Sequence, residues 1–222
     1  GIECHTVRLA DGSILRSHAV ILAAGGTAQK LNIPGEDENF GKGVSYCATC
    51  DGFFFRDQTV AVVGGGDTAL EDALYLAKIT RKVYLIHRRD AFRGSRILQQ
   101  RVFSEPRIKL IYNTVVTEIQ ANDKGVRGLS VKDTQTGETR TVDTDGVFIF
   151  VGFKPNNQIV PAGIKLSTSG YVLTDEKCET SIPGLFAVGD LRQKYANQIV
   201  LAAADGCTAA LAAAHFIETR KV

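Results

Sequence analysis

The residues best suited to chemistry are two cysteines separated by two residues, Cys47 and Cys50, with Asp51 directly after them. Two intervening residues let both sulfurs reach disulfide geometry within one turn, and a local helix N-terminus would lower the pKa of a thiolate there. The carboxylate of Asp51 could donate or accept the proton that each thiolate cycle requires. The spacing therefore predicts dithiol–disulfide exchange.

A zinc site and a purely structural role are the alternatives for this pair. Tetrahedral zinc needs a second pair of ligands at a suitable spacing, whereas Cys178, Cys207 and His215 are dispersed along the chain. Cys4, Cys178 and Cys207 follow no such pattern, so we expect them to be buried small residues or surface thiols. We expect no metal site.

A glycine-rich segment follows the cysteines, between a predicted strand over 59–63 and a predicted helix over 67–78. Three of its residues, Gly64, Gly66 and Ala69, match the G-x-G-x-x-G/A fingerprint of dinucleotide-binding turns. In such turns the pyrophosphate meets free N–H groups at the helix N-terminus. The candidate binding residues in this segment are Gly64, Gly65, Gly66, Asp67 and Thr68.

The end of the next predicted strand, over 82–87, distinguishes between two nucleotides. NAD-binding units usually carry an acidic residue there for the ribose hydroxyls, but this chain has His87, Arg88 and Arg89, with Arg93 nearby. Guanidinium groups match a 2′-phosphate bidentately. The pattern favours NADPH over NADH, the alternative being an ordinary strand–helix turn beside a solvated basic face.

The elements that must position these residues alternate between strand and helix from 58 to 150, which predicts a βαβ unit with an antiparallel addition. Before it, Asp11-Gly12 predicts a tight hairpin, and a short apolar run over 19–23 predicts a buried strand. After it we expect a hairpin over 166–173, a strand over 185–188 and a helix over 198–219. The helix is apolar nearly all round, so we expect it to be buried between a sheet and another layer.

Length and charge restrict the class of protein. The 222 residues are enough for two domains, and breaks near Pro34 and over 152–157 are candidate crossings between them. A net charge of +2 gives no bulk electrostatic reason to expect nucleic acid or an anionic membrane as a partner. The sequence shows no evident apolar run of about 20 residues and no signal-like start, so we expect a cytoplasmic protein.

Five segments, taken in order, resemble the bacterial-type (low-molecular-weight) thioredoxin reductases: CATCDG, GGGDTA, HRRDAFR, VGFKPN and TSIPGLFAVGD. The resemblance extends over essentially the whole chain but not to the family's N-terminal strand and glycine-rich loop, which bind the ADP half of FAD. It implies an α/β fold of two Rossmann-like, three-layer domains, with the NADPH domain inserted into an FAD domain that is incomplete at its N-terminus. The implied boundaries are 1–34 for the first FAD-domain segment, 35–154 for the NADPH-binding domain with the redox pair, and 155–222 for the C-terminal FAD-domain segment.

The resemblance also implies the direction of electron flow. NADPH would reduce FAD, reduced flavin would reduce the Cys47–Cys50 disulfide, and the dithiol would reduce thioredoxin, in a homodimer. Cys50 would face the flavin, Cys47 would attack thioredoxin, and Asp51 would protonate a departing thiolate. The residues implied to bind FAD are Gly189, Asp190, Gln198 and Ile199.

Two other functions stay open at this point. One is an NADPH-binding dithiol fragment that is inactive without the remaining FAD-binding residues. The other is a peroxiredoxin-reducing flavoprotein, which the basic residues from His87 to Arg89 disfavour because those proteins have an NADH-type strand end.

Overall fold

A computed structural model of the protein describes residues 4–220. The chain forms two compact units: a discontinuous unit, which ends its first segment at Thr27 and resumes at Phe153, and a continuous unit over Ala28–Gly152. The first crossing therefore precedes Pro34. Residues from Leu31 onwards belong to the continuous unit because the N–H groups of Leu31 and Asn32 donate to the Glu36 carboxylate within it.

The elements are numbered in chain order. The strands are β1 His5–Arg8, β2 Ile14–Ser17, β3 Val20–Leu22, β4 Gly26–Ala28, β5 Val44–Ser45, β6 Thr59–Gly64, β7 Lys82–Ile86, β8 Ile108–Ile111, β9 Thr114–Asn122, β10 Gly125–Asp133, β11 Thr139–Asp143, β12 Gly146–Phe150, β13 Phe153–Pro155 and β14 Leu185–Ala187. The α-helices are α1 Ala48–Asp51, α2 Asp67–Ile79, α3 Arg96–Ser104 and α4 Ile199–Arg220. Short 3₁₀ helices span Gly52–Phe55, Asn157–Ile159 and Gly189–Leu191.

The continuous unit has three layers. Its centre is a five-stranded parallel sheet in the order β5-β12-β6-β7-β8. Helix α2 covers one face through Ala69, Leu70, Ala73, Leu76 and Ala77. The antiparallel sheet β11-β10-β9 covers the other face. The predicted βαβ unit with an antiparallel addition is confirmed.

Burial explains why β6 has no polar side chain after Thr59. A strand at the centre of a parallel sheet is covered on both faces and loses the alternation of a half-exposed strand, and from Val60 to Gly64 every residue of β6 is buried. The sequence did not predict β9 and β11, which lie on either side of β10. Both carry many exposed polar residues, and their pairing with β10 defines them as strands.

The discontinuous unit brings together the two ends of the described chain. The predicted hairpin is present as β1 and β2, and β3 pairs in parallel with β14. Helix α4 packs on β3 and β14. The hairpin expected over 166–173 is reduced to a single bridge between Leu166 and Val172.

Helix α4 corrects two expectations from the sequence. It is not buried on all sides: Ala209, Ala213 and Phe216 are buried, whereas Ile199 is 85% and Leu211 70% exposed. The sheet beneath it has two strands, and two strands are too narrow to cover more than one face of a helix. The segment Ile199–Thr219 also has a mean hydropathy of 1.6 and is long enough to cross a membrane by length and composition alone, contrary to the expectation that no such run exists.

Candidate functional site

Cys47 and Cys50 are joined by a disulfide bond, as their spacing predicted. They lie where the chain leaves β5 and turns into α1, with Cys47 as the N-cap residue of that helix. Cys50 is exposed and Cys47 is half-buried. The backbone N–H of Cys50 donates to the Cys47 sulfur at 3.2 Å, a contact that favours a thiolate on Cys47 once the bond is reduced.

Asp51 closes the same turn, and its carboxylate has a partner that the sequence did not reveal. The hydroxyl of Ser45 donates to Asp51 Oδ2 at 2.6 Å. The backbone N–H of Cys47 donates in turn to the Ser45 hydroxyl oxygen at 3.0 Å. The structure therefore brings Cys47, Cys50 and Asp51 together and adds Ser45 to them.

The glycine-rich turn connects β6 to α2, as predicted. A Cβ on Gly64 would lie 2.5 Å from Phe150 O and 2.6 Å from Ala69 Cβ, so the turn requires glycine for close packing of strand and helix. A Cβ on Gly66 would meet nothing within 4 Å. Gly66 is the N-cap residue of α2 and has no side chain to receive the first N–H groups of the helix. An anionic group can therefore approach that helix end directly.

His87 lies beneath this turn rather than on its surface. A Cβ on Gly65 would collide with the His87 ring. The His87 Nε2 atom is 3.1 Å from Ala91 O. Burial is the main cause that lowers the pKa of His87, and Arg88 and Arg89 lower it further against the opposing backbone hydrogen bonds. The neutral imidazole therefore supports the turn from below.

The segment that follows β7 is hydrogen-bonded to the glycine turn through its backbone. The N–H groups of Arg93 and Gly94 both donate to Gly65 O, at 2.8 and 3.1 Å. Arg88, Arg89 and Arg93 are exposed, and the charges of Arg88 and Arg89 contribute to the lowered pKa of His87.

Asp67 does not point its carboxylate at an open site. Its Oδ1 atom accepts the backbone N–H of Ser95 at 2.6 Å and so ties the first residue of α2 to the N-cap residue of α3. Thr68 is exposed in the first turn of α2. Of these two predicted residues, Asp67 organises the loop and Thr68 presents its side chain at the surface.

These features fit a dinucleotide phosphate. The turn combines an open approach at Gly66, uncapped helix N–H groups within the described chain, and exposed guanidinium groups nearby. Free N–H groups complement a pyrophosphate, and arginines complement a further phosphate monoester.

A second polar turn lies in the discontinuous unit, at Gly189 and Asp190. Asp190 Oδ1 is buried and makes no hydrogen bond within residues 4–220, although Lys194 Nζ lies 3.6 Å away. A Cβ on Gly189 would lie 3.5 Å from Ala202, in the first turn of α4. The residues that open α4, Gln198 and Ile199, are exposed.

A buried carboxylate oxygen that has a cation at 3.6 Å but no hydrogen bond among the described residues can still accept a donor. The hydroxyl groups of a flavin side chain are donors of that kind, so this turn fits the flavin implied by the sequence. The four predicted residues Gly189, Asp190, Gln198 and Ile199 lie in one neighbourhood, because Gly189 packs against α4 close to its start.

The amino-acid sequence of this chain is similar to those of known proteins. A family model described as "Pyridine nucleotide-disulphide oxidoreductase" matches residues 2–206. The thioredoxin reductase of Helicobacter pylori is 44% identical over 220 residues, which cover 96% of this chain and 71% of the relative. That of Treponema pallidum is 45% identical over 201 residues, 90% of this chain and 65% of the relative.

Solved structures agree with the sequence comparison. The crystal structure of thioredoxin reductase from Streptococcus pyogenes superposes with a TM-score of 0.91 at 42% identity, covering 95% of this chain and 69% of that one. Thioredoxin reductase from Giardia duodenalis gives a TM-score of 0.88 at 38% identity, with 94% and 69% coverage. This chain thus spans about two-thirds of the length of these relatives, and it belongs to the pyridine nucleotide-disulphide oxidoreductases and, among them, to the thioredoxin reductases.

Proposed function

We propose that this chain carries the NADPH-binding and redox-active parts of a thioredoxin-disulfide reductase. The observation that supports it best is the disulfide between Cys47 and Cys50, which lies in the same unit as the glycine turn after β6 and the exposed arginines after β7. FAD, when bound, would pass an electron pair from NADPH to this disulfide.

NADPH binding would use the turn after β6. The N–H groups at the start of α2 would bind the pyrophosphate, and Gly66 would let the backbone approach it. Arg88, Arg89 and Arg93 would bind the 2′-phosphate. His87 would hold Gly65 in place from beneath, without contacting the nucleotide.

The dithiol would carry out two exchange steps. The Cys47 thiolate attacks one sulfur of the thioredoxin disulfide, so that a mixed disulfide forms and the other thioredoxin sulfur leaves as a thiolate. Asp51 donates a proton to that thiolate. The Cys50 thiolate then attacks Cys47, which restores the Cys47–Cys50 bond and releases the second thioredoxin thiolate. Two electrons pass to thioredoxin in total.

The flavin would be held in the discontinuous unit. Asp190 would accept hydrogen bonds from the ribityl hydroxyls through its buried Oδ1 atom, which makes no hydrogen bond within residues 4–220. The N-terminus of α4, at Gln198 and Ile199, would stabilise negative charge on the flavin ring. We further propose that the protein works in the cytoplasm as a homodimer.

Nucleotide binding and disulfide exchange can be tested separately. The first test measures NADPH binding. Wild-type chain should bind NADPH more tightly than NADH in a fluorescence titration. Replacing both Arg88 and Arg89 by Gln should weaken NADPH by about tenfold or more while leaving NADH unchanged. Arg101→Gln removes an exposed arginine from the last turn of α3 and should change neither. Equal affinity of the wild type for both nucleotides would overturn the assignment.

The second test follows the dithiol directly. Chain reduced with dithiothreitol and freed of it should lose two thiols per molecule to oxidised thioredoxin. Cys47→Ser should abolish this exchange, whereas Cys207→Ser, which removes an exposed free cysteine, should leave it intact. Normal exchange by Cys47→Ser would contradict the role given to Cys47. A reduced wild type that fails to react with thioredoxin would favour the alternative, a nucleotide-binding module without reductase activity.

A further inference from the structure

We propose that Ser45 is a positioning residue that holds the Asp51 carboxylate for proton transfer during disulfide exchange. No sequence motif pointed to it. The inference rests on the proposed function, because it concerns the proton that accompanies the exchange steps at Cys47 and Cys50.

The position of Ser45 is set by the sheet and not by the turn that carries the cysteines. Ser45 ends β5, pairs in parallel with Phe148 of β12, and is 2% exposed. A polar side chain buried to that extent is normally there because it is hydrogen-bonded. Its hydroxyl is thus a fixed point in the core of the continuous unit, next to the redox turn.

The hydroxyl has one proton, and the distances indicate where it goes. Ser45 Oγ is 2.6 Å from Asp51 Oδ2 and 3.2 Å from Cys47 O. A short contact to a carboxylate is the stronger, charge-assisted one, so Ser45 donates to Asp51. Its oxygen then accepts the N–H of Cys47 at 3.0 Å. One side chain therefore connects Cys47, the N-cap residue of α1, to Asp51, the last residue of that helix.

This arrangement fixes Asp51 while leaving its other carboxylate oxygen for chemistry. Asp51 follows Cys50 directly and lies four residues after Cys47, on the same side of the turn. With Oδ2 accepting the Ser45 hydroxyl, Oδ1 is the oxygen that takes up the proton of the Cys50 thiol, as Cys50 becomes a thiolate, and gives it to the thiolate that leaves the attacked disulfide. Without Ser45 the carboxylate could rotate away from the sulfurs, and proton transfer would lose its fixed geometry.

The chemistry supplies a selective test. When the reduced dithiol attacks a disulfide, one sulfur–sulfur bond forms, one breaks, and the leaving thiolate must be stabilised or protonated. An aromatic leaving thiolate such as that of 5,5′-dithiobis(2-nitrobenzoate) is stable and needs no acid. An alkyl thiolate, as from bis(2-hydroxyethyl) disulfide, is a much stronger base, so it leaves faster when an acid protonates it.

The experiment compares the second-order rates of both disulfides with reduced wild type, Ser45→Ala, Asp51→Asn and the double variant. We expect Ser45→Ala to slow the alkyl disulfide by about tenfold and the aromatic one by less than about twofold. The double variant should be no slower than Asp51→Asn alone, because both changes act on one proton. Ser45→Thr, which keeps the hydroxyl, should retain most of the rate.

A matched control removes another buried hydroxyl from the same unit. Thr144 is buried, and its hydroxyl bonds only to backbone carbonyls of Thr59 and Gly146 among the described contacts. Thr144→Val should lower the free energy of unfolding without changing either rate.

The outcomes distinguish this inference from the proposed function. Equal slowing of both disulfides by Ser45→Ala, or additive effects in the double variant, would mean that Ser45 only supports the fold, and would overturn the inference. If Asp51→Asn itself leaves the alkyl disulfide unaffected, the acid role of Asp51 fails, and the inference fails with it. If Asp51→Asn is selective and Ser45→Ala is not, only the inference fails.

Discussion

The hydroxyl of Tyr46 donates a hydrogen bond to Glu36 Oε1 at 2.8 Å, and Glu36 is only 1% exposed. The same carboxylate accepts the backbone N–H groups of Leu31 at 3.0 Å and Asn32 at 2.7 Å. A buried charge is tolerated when donors of this kind surround it. Glu36 therefore joins the residues that enter the continuous unit to the residue directly before Cys47.

Removing either partner should destabilise the continuous unit to different extents. Tyr46→Phe deletes one hydrogen bond to a charged group and should cost about 1.5–3 kcal/mol. Glu36→Ala also strands three backbone N–H groups, those of Leu31, Asn32 and Ile33, and should cost more. Urea unfolding measures both, and Tyr195→Phe, at a fully exposed tyrosine, is the control with no expected change. A larger loss in Tyr46→Phe than in Glu36→Ala would contradict this account.

Tyr46 also predicts a loss of stability at high pH. Burial, together with the bond to Glu36, raises the pKa of the Tyr46 phenol. The unfolded chain therefore releases this proton first, and stability falls as the pH rises above the ordinary tyrosine value of about 10. Tyr46→Phe should reduce that alkaline slope.

Asp72 should make the protein less stable at neutral pH than at mildly acidic pH. Burial in α2, with Glu71 beside it, raises the pKa of the Asp72 carboxyl to about 6. Because the unfolded value is about 3.9, this group favours the folded state below that value and loses its contribution as the pH rises through about 6. Asp72→Asn should remove this dependence and raise the free energy of unfolding at pH 7. The exposed Asp123, changed to Asn, should do neither; an unchanged pH slope in Asp72→Asn would refute the prediction.

The glycines of the dinucleotide turn should respond differently to the same change. Gly64→Ala forces a Cβ against Phe150 O and Ala69 and should destabilise the fold by about 1–3 kcal/mol or more. Gly66→Ala places its Cβ in open space, so it should fold with a loss within about 1 kcal/mol. It should still bind NADPH about tenfold more weakly, because the methyl group occupies the approach of the pyrophosphate. Thermal unfolding and a nucleotide titration on both variants measure this contrast, and tight NADPH binding by Gly66→Ala would argue against the proposed site.

Asp205 should be essential to the turn that carries Asp190. Its carboxylate lies 2.7 Å from Arg192 Nη1 and 3.2 Å from Lys194 Nζ, and it accepts the N–H of Gly189 at 3.1 Å. All three charged side chains are largely buried. Removing one member of such a group leaves uncompensated charge and costs about 3–5 kcal/mol. Asp205→Ala should show this loss in urea unfolding, while Glu218→Gln, at an exposed position of α4, should not; equal stability of both variants would disprove it.

Much of the continuous unit could be predicted because its signals are local. A buried apolar run, a glycine turn and an amphipathic helix repeat in the order of a βαβ unit, and β6, α2 and β7 occur where the pattern placed them. The strands β9 and β11 were missed because polar residues obscure their alternation and pairing with β10 defines them. The burial of α4 was predicted wrongly, because the apolar character of a helix does not show how wide a sheet lies beneath it.

By itself the sequence determined the chemistry that this protein can perform. The signals for it are local and depend only on residue type and short spacings. They are the two cysteines at a fixed spacing, the glycine turn after a strand, and the arginines at the end of the next strand. The tertiary structure alone decided what three polar side chains contact: Ser45 bonds to Asp51, Glu36 bonds to Tyr46, and His87 packs under Gly65. A serine, a glutamate or a histidine has no local signature for such a role, because its effect depends on a partner that only folding brings within hydrogen-bond distance and out of water.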